Sequence, residues 1–215
     1  MNVRNMEYFR IVKELNTELH EELINKKLHF RGNENSFSLI SVAKETAERG
    51  KSGLKDKNKA IKLIQNGIII EEPNRDTPEK VLQAWIINFA MNNNWALPFD
   101  NNILYLTSEL ALKVNEKKIV NDILAIDYSG NLCIVELKSK RDNYVKKQTE
   151  IFEKFVNNEK DFFEELLNII SPIKWNGKIR KIAVWPKAEG KIRKAEYPNV
   201  EEINYIEKKV EYIFE

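Results

Sequence analysis

The run Leu132-Cys133-Ile134-Val135-Glu136-Leu137-Lys138 constrains the fold more than any other stretch of the chain. Successive side chains of a strand point to opposite sides, so an unbroken apolar run predicts a central strand covered on both faces. Glu136 and Lys138 interrupt that run. Being two residues apart they share a face, while Cys133, Val135 and Leu137 look to the other. Either charge, buried and unpaired, would cost roughly several kcal/mol, so each demands a compensating partner.

The preceding strand, IVNDILAID, supplies one. Asp122 stands at the start of its apolar run Ile123-Leu124-Ala125-Ile126. If Tyr128-Ser129-Gly130 is a three-residue hairpin loop with Gly130 in the left-handed conformation, Asp127 pairs with Asn131 and Asp122 falls opposite Glu136. Opposite residues share a face and lie close together. A two-residue loop would shift the register by one and separate the two acids. Carboxylates that close repel unless a cation sits between them, and an oxygen-only donor set suits Mg2+ or Mn2+ better than zinc. A neighbouring lysine can orient a water and offset negative charge in a phosphoryl transition state. Asp122, Glu136 and Lys138 together therefore point to phosphodiester hydrolysis.

Around this hairpin the chain divides in two. Apolar residues at Tyr8, Ile11, Val12, Leu15, Leu19 and Leu23 give the three-and-four spacing of an amphipathic helix over 5–28. Residues 36–48 and 57–66 predict two more helices, so residues 1–72 are expected to form a helical region closing at Glu71-Glu72-Pro73. Thr77-Pro78-Glu79 marks a helix start, with an N-cap and proline at the first position, ahead of the stripe Val81, Leu82, Trp85, Ile86, Phe89 and Ala90. Strands are predicted over about 103–114, 119–127 and 131–138, then a helix from about Asp142, then a strand over Lys178–Trp185. The tail from Tyr197 is ambiguous between helix and strand. The expected fold is α/β: an αβββαβ core within residues 73–215 behind an N-terminal helical region.

That order, with Asp122 in VNDILAID and Glu136-Leu137-Lys138 as an E-x-K element, resembles the PD-(D/E)XK nuclease superfamily over about residues 77–186. The passage from Val120 to Phe152 is similar above all to archaeal and bacterial nucleases acting on mismatched, branched or single-stranded DNA, with a RecB-like element at Gln148. The resemblance implies a restriction-endonuclease-like fold, DNA as substrate, and Mg2+ or Mn2+ held by Asp122 and Glu136. It makes Lys138 the residue that positions the attacking water. Glu79 corresponds to an additional acidic metal or water ligand on the first core helix, although an acid in a first helical turn is also stabilised by the helix dipole alone. Gln148 corresponds to the glutamine that RecB-like members carry on the helix after the E-x-K strand; it could equally bond to backbone. Asn121 stands in place of the proline that names the motif, and Phe152 where RecB-like members have tyrosine.

Other chemistries find no support. One cysteine, Cys133, excludes an intramolecular disulfide framework, and two histidines, His20 and His29, leave almost no histidine-ligated zinc site. Gly50-Lys51-Ser52 lacks the first glycine of a P-loop, because position 45 is Glu. His20-Glu21-Glu22 lacks the second histidine of a zinc-protease motif. No apolar run approaches the ~18 residues of a membrane span, and no signal-peptide core is present, so a cytoplasmic protein with no membrane partner is expected.

The formal charge is only +2, so any electrostatic argument for DNA depends on distribution. Basic residues cluster at Arg49–Lys62, at Lys138–Lys147, and over residues 174–194, where Trp175 and Trp185 are interleaved. Such clusters attract a phosphate backbone, though they can equally be solvated faces. The N-terminal region would then bind DNA or mediate homodimerisation. The alternative function is a non-catalytic DNA-binding or scaffold protein using these faces alone.

Overall fold

The computed structural model describes residues 5–67, 77–114, 117–142, 144–187, 199–209 and 211–215. The chain begins with helices α1 (Glu7–Glu18) and α2 (His20–Lys26), then strands β1 (Leu28–Gly32), β2 (Phe37–Ser41) and β3 (Gly50–Leu54), then helix α3 (Lys57–Asn66). Helix α4 (Pro78–Asn92) leads into β4 (Ala96–Leu97), β5 (Asp100–Val114), β6 (Lys117–Asp127) and β7 (Leu132–Leu137). Helices α5 (Tyr144–Asn158) and α6 (Lys160–Ile170) follow, then β8 (Ile179–Pro186), β9 (Glu201–Lys208) and β10 (Glu211–Phe214).

The fold is mixed α/β. Seven strands form one mixed sheet in the order β10-β9-β8-β7-β6-β5-β4. β5, β6 and β7 are an antiparallel meander, and β8 and β9 add in parallel to β7. All six residues of β7 are buried, as its unbroken apolar run requires. Ile123, Ala125, Cys133 and Val135 pack on one side with Leu82, Ile86 and Ile87 of α4. Leu124, Leu132 and Ile134 pack on the other with Phe152 and Phe155 of α5 and Phe163 and Leu166 of α6. The α4 start follows its sequence signals: Thr77 caps it, its side chain accepting from the Lys80 amide at 3.4 Å, and Pro78 fills the first turn.

The N-terminal region departs from expectation. The helix predicted over 36–48 is β2 followed by a 3-10 turn at Lys44–Thr46, and residues 28–54 form a three-stranded antiparallel sheet. Phe30, Phe37 and Leu39 are fully buried there, and the hairpin turn is made by Asn33, whose Oδ1 accepts from the Asn35 and Ser36 amides at 2.8 and 3.1 Å. Tertiary pairing with β1 overrides the weak three-and-four spacing of the segment. The helix predicted over 5–28 is broken into α1 and α2 at Leu19. Helix α3 matches the predicted 57–66, capped by Asp56. The predicted closure at Glu71-Glu72-Pro73 lies outside the described residues. Val12, Leu15, Phe30, Phe37 and Ile64 share one apolar cluster with Leu82, Ile123 and Val135, so the N-terminal region and the large sheet have a common core.

The β6–β7 hairpin has the predicted register. Its loop is three residues long, Asp127 N–H donates to Asn131 O at 3.0 Å, and Ile123 pairs with Val135. Gly130 has φ +83°, and a Cβ there would lie 2.6 Å from the Lys174 carbonyl oxygen. Gly130→Ala is therefore expected to destabilise the protein by at least about 1–3 kcal/mol, measured by urea unfolding, since both the dihedral and a backbone contact oppose it. A wild-type midpoint would contradict the loop geometry. Asp127 is the turn residue anticipated: its carboxylate accepts from Ser129 N, and hydrogen bonds from the Asn131 side chain and amide and from Arg180 hold it below the usual carboxylate range despite its burial.

Candidate functional site

Beyond the Ile123–Val135 pair, backbone pairing between β6 and β7 gives way to side chains. Carried one step further, that register would set Asp122 opposite Glu136, and the charge of Asp122 acts on the Glu136 carboxyl. Asp122 Oδ2 accepts from the Leu137 amide at 2.8 Å, and Asn121 Nδ2 donates to the Val135 carbonyl and to Glu136 Oε1, both at 3.2 Å. The two strands are thus bridged by the residues that would otherwise mark their parting. Lys138, just past the end of β7, forms an ion pair with Glu136 Oε2 at 3.6 Å, beyond hydrogen-bond length. Its main chain is fixed on both sides, the amide donating to Val184 O and the carbonyl accepting from the Tyr205 hydroxyl. Asp122, Glu136 and Lys138 therefore converge at the C-terminal end of the central strand, beside the parallel strands β8 and β9, where ligands of open α/β sheets characteristically sit.

The electrostatics are unbalanced. Glu136 is 2% exposed, and burial, then the charge of Asp122, pushes its carboxyl well above the ordinary range. Asp122 is also raised, chiefly by burial, although the Leu137 amide and Lys138 act in the opposite direction. Asn121 Oδ1 is buried beside them with no hydrogen-bond partner. Two acids, one lysine and an unpartnered oxygen leave an excess of oxygen acceptors over cations, which a divalent ion would relieve. Among the described residues no three His, Cys, Asp or Glu side chains form a metal cage. Mg2+ needs none, because it is typically held by one or two carboxylates with waters and substrate phosphates. The residues present fit such an ion through Asp122 and Glu136.

Of the other predicted site residues, Glu79 reaches the same strand end but is engaged there: its Oε1 accepts from the Ser139 amide at 3.0 Å and from the Ser139 hydroxyl at 3.1 Å. It anchors the chain immediately after Lys138. Gln148 is half-buried on α5, and no hydrogen bond joins it to the cluster among the described residues. A scan of the chain against models of protein families finds no match, and a search of curated proteins finds no relative.

Several contributors escaped the sequence reading. Gln83 of α4 donates to the Asp122 carbonyl at 2.7 Å and to Glu109 Oε1 at 3.3 Å. Glu109, with φ +50°, pairs with Lys80, and Lys80 pairs with Glu48 at 3.1 Å. Glu48 in turn pairs with Arg31 of β1 at 3.0 Å. An ion-pair chain thus runs from the small sheet to the backbone of Asp122. A charge in the middle of the apolar run around Leu106–Leu112 was the available signal for Glu109.

The basic clusters are partly spent inside the fold. Arg180 pairs with Asp127 and Glu201, and Lys181 pairs with Glu153 at 2.6 Å. Arg141 lies over the Trp185 ring at 4.7 Å and pairs with Glu202. Trp175 and Trp185 are 9% and 1% exposed, so neither offers a surface face on which a base could stack. Lys57 is held by Glu14 and Glu18. Lys191, Arg193 and Lys194 lie outside the described residues.

The charge imbalance carries a stability prediction. Glu136→Gln keeps the shape and an acceptor for Asn121 while removing an acid whose ionised form the fold penalises, by burial and then by the charge of Asp122. It is expected to stabilise the metal-free protein at neutral pH by about 1–3 kcal/mol, raising Tm by roughly 2–10 °C in thermal melts with EDTA. A lowered Tm would mean that Glu136 is already fully compensated.

Proposed function

We propose that the chain is a divalent-metal-dependent endonuclease of the PD-(D/E)XK type, with a restriction-endonuclease-like core over about residues 77–186, cleaving DNA in the cytoplasm. The observation that supports this reading most is the meeting of Asp122 and Glu136 across a hairpin rim with Lys138 one side chain away, in a setting that under-compensates the acids. A hard divalent ion bound there would supply acidification of a water and neutralisation of phosphoryl charge. Asp122 and Glu136 hold that ion. Lys138 orients the attacking water and offsets negative charge on the scissile phosphate. Ser139, fixed by Glu79, sets the direction in which the chain leaves β7 and so the reach of the lysine. Gln148 has no defined part.

Supercoiled plasmid, single-stranded DNA and branched DNA, each incubated with Mg2+, Mn2+ or EDTA, test the proposal. Cleavage of at least one substrate in the presence of metal, suppressed by EDTA, is expected. Binding without cleavage in every condition would favour the DNA-binding or scaffold function instead. Among the described residues each chain offers one such constellation, so a double-strand cut would require two copies acting together, and the oligomeric state during cleavage follows from the product.

A further inference from the structure

A second site lies away from the carboxylates, between α1, β1 and β5. It is a cavity of about 360 Å3, near the lower end of the range for small-molecule pockets, and no Asp or Glu lines it. Its walls are aromatic. Trp95 stacks on Tyr105 with ring centroids 6.0 Å apart and planes inclined 18°, and His29 and His20 approach the same indole at 5.8 and 5.7 Å. Lys13 and Thr17 are exposed at its edge.

Two features suit this cavity to a ligand rather than to a packing defect. His29 is 2% exposed, and while its Nε2 meets the Tyr105 hydroxyl at 3.1 Å, its Nδ1 is buried with no partner. Such a group is costly to leave unmet. Asn94 and Trp95 are consecutive non-glycine residues with φ +52° and +67°. Strain of this kind persists only where the surroundings impose it. Here the Trp95 amide donates to Ala90 O at 2.7 Å and its carbonyl accepts from the Tyr105 amide at 2.8 Å, holding the indole as a wall.

We infer that this cavity binds a planar heteroaromatic ring of nucleobase size bearing an anionic group, with the ring against Trp95 and Tyr105, a ring-edge polar atom at His29 Nδ1, and the anion toward Lys13. The aromatic faces favour a planar ring over an aliphatic ligand, and the exposed Lys13 with no acidic lining favours an anionic group over a cationic one. A free nucleotide and a base within single-stranded nucleic acid share this chemistry. The inference does not rest on the nuclease reading.

Isothermal titration of the full chain with AMP, adenosine and an eight-residue oligothymidylate, in EDTA, tests it. Binding of AMP, weaker binding of adenosine, and loss of AMP affinity by about tenfold or more in Trp95→Gly are expected, since stacking on the indole is removed. Glycine is chosen because it accepts the positive φ, and a thermal melt checks that the variant is folded. Binding of the oligonucleotide alone, lost in Trp95→Gly, would support the same ring site and assign its source to nucleic acid. No binding of any probe, or equal binding by folded Trp95→Gly, would overturn the inference. Cleavage without nucleotide binding would remove this proposal and leave the endonuclease intact, and the converse result would do the reverse.

Discussion

Lys138→Ala is expected to leave the protein folded and to reduce metal-dependent DNA cleavage by at least about 10²–10³-fold, the scale on which loss of one preorganised charge partner is felt in a transition state. The expectation follows from how the residue is held. Its main chain is tied to Val184 and Tyr205, and among the described residues its side chain pairs with Glu136 alone, at 3.6 Å. Truncation therefore removes the ammonium without releasing the strand. Asp122 needs a gentler change, because its Oδ2 accepts from the Leu137 amide. Asp122→Asn retains that acceptor and removes the charge, so it separates loss of a metal ligand from loss of a structural bridge. Cleavage by Asp122→Asn should fall as far as in Lys138→Ala, while gel-shift affinity for DNA in EDTA changes by no more than a few fold. Wild-type cleavage rates in both variants, each shown to be folded, would rule out the mechanism.

The hairpin that builds this cluster was legible because the information is local. Gly130 demands a left-handed turn position, the loop length sets the register, and the two-residue period places Asp122 and Glu136 together. What surrounds it was less so. Asn121 was read as a missing proline, yet it bridges Val135 and Glu136, a role that depends on where β6 and β7 cease to pair. Glu79 was legible as an acid near the strand end, but its occupation by Ser139 is a contact across sixty residues of chain, visible only once α4 is docked. The N-terminal sheet was lost for a different reason. Phe37, Leu39 and Ile40 fit either period over so short a run, and the Gly32-Asn33-Glu34-Asn35 turn cluster between two aromatic-rich segments was the signal for a hairpin. The basic stretches overstate the free charge because composition counts charges without their partners: Arg180, Lys181 and Arg141 pair with acids from other elements.

Acidification from pH 6.5 to pH 5 is expected to cost the folded state about 2 kcal/mol through His29 alone, rising to about 4 kcal/mol near pH 3. Burial, with Arg31 adding repulsion, lowers this imidazole from its ordinary 6.5 to about 3. The groups facing it from other elements are the Tyr105 hydroxyl and the Trp95 ring, neither of which supplies a negative charge to stabilise an imidazolium. The sign follows directly. Below pH 6.5 the unfolded chain takes up a proton that the folded chain refuses, so the unfolded state gains and stability falls as pH drops. Urea unfolding at pH 7.5, 6.5 and 5 measures the slope in the wild type and in His29→Leu. The leucine variant loses the Tyr105 contact at every pH and starts from a lower stability, but between pH 6.5 and 5 it should lack this part of the decline, so the two curves approach one another on acidification. Parallel curves would show that the buried imidazole gains a proton in the folded state as readily as in the unfolded one, and with it that the ring is open to water or to an acid.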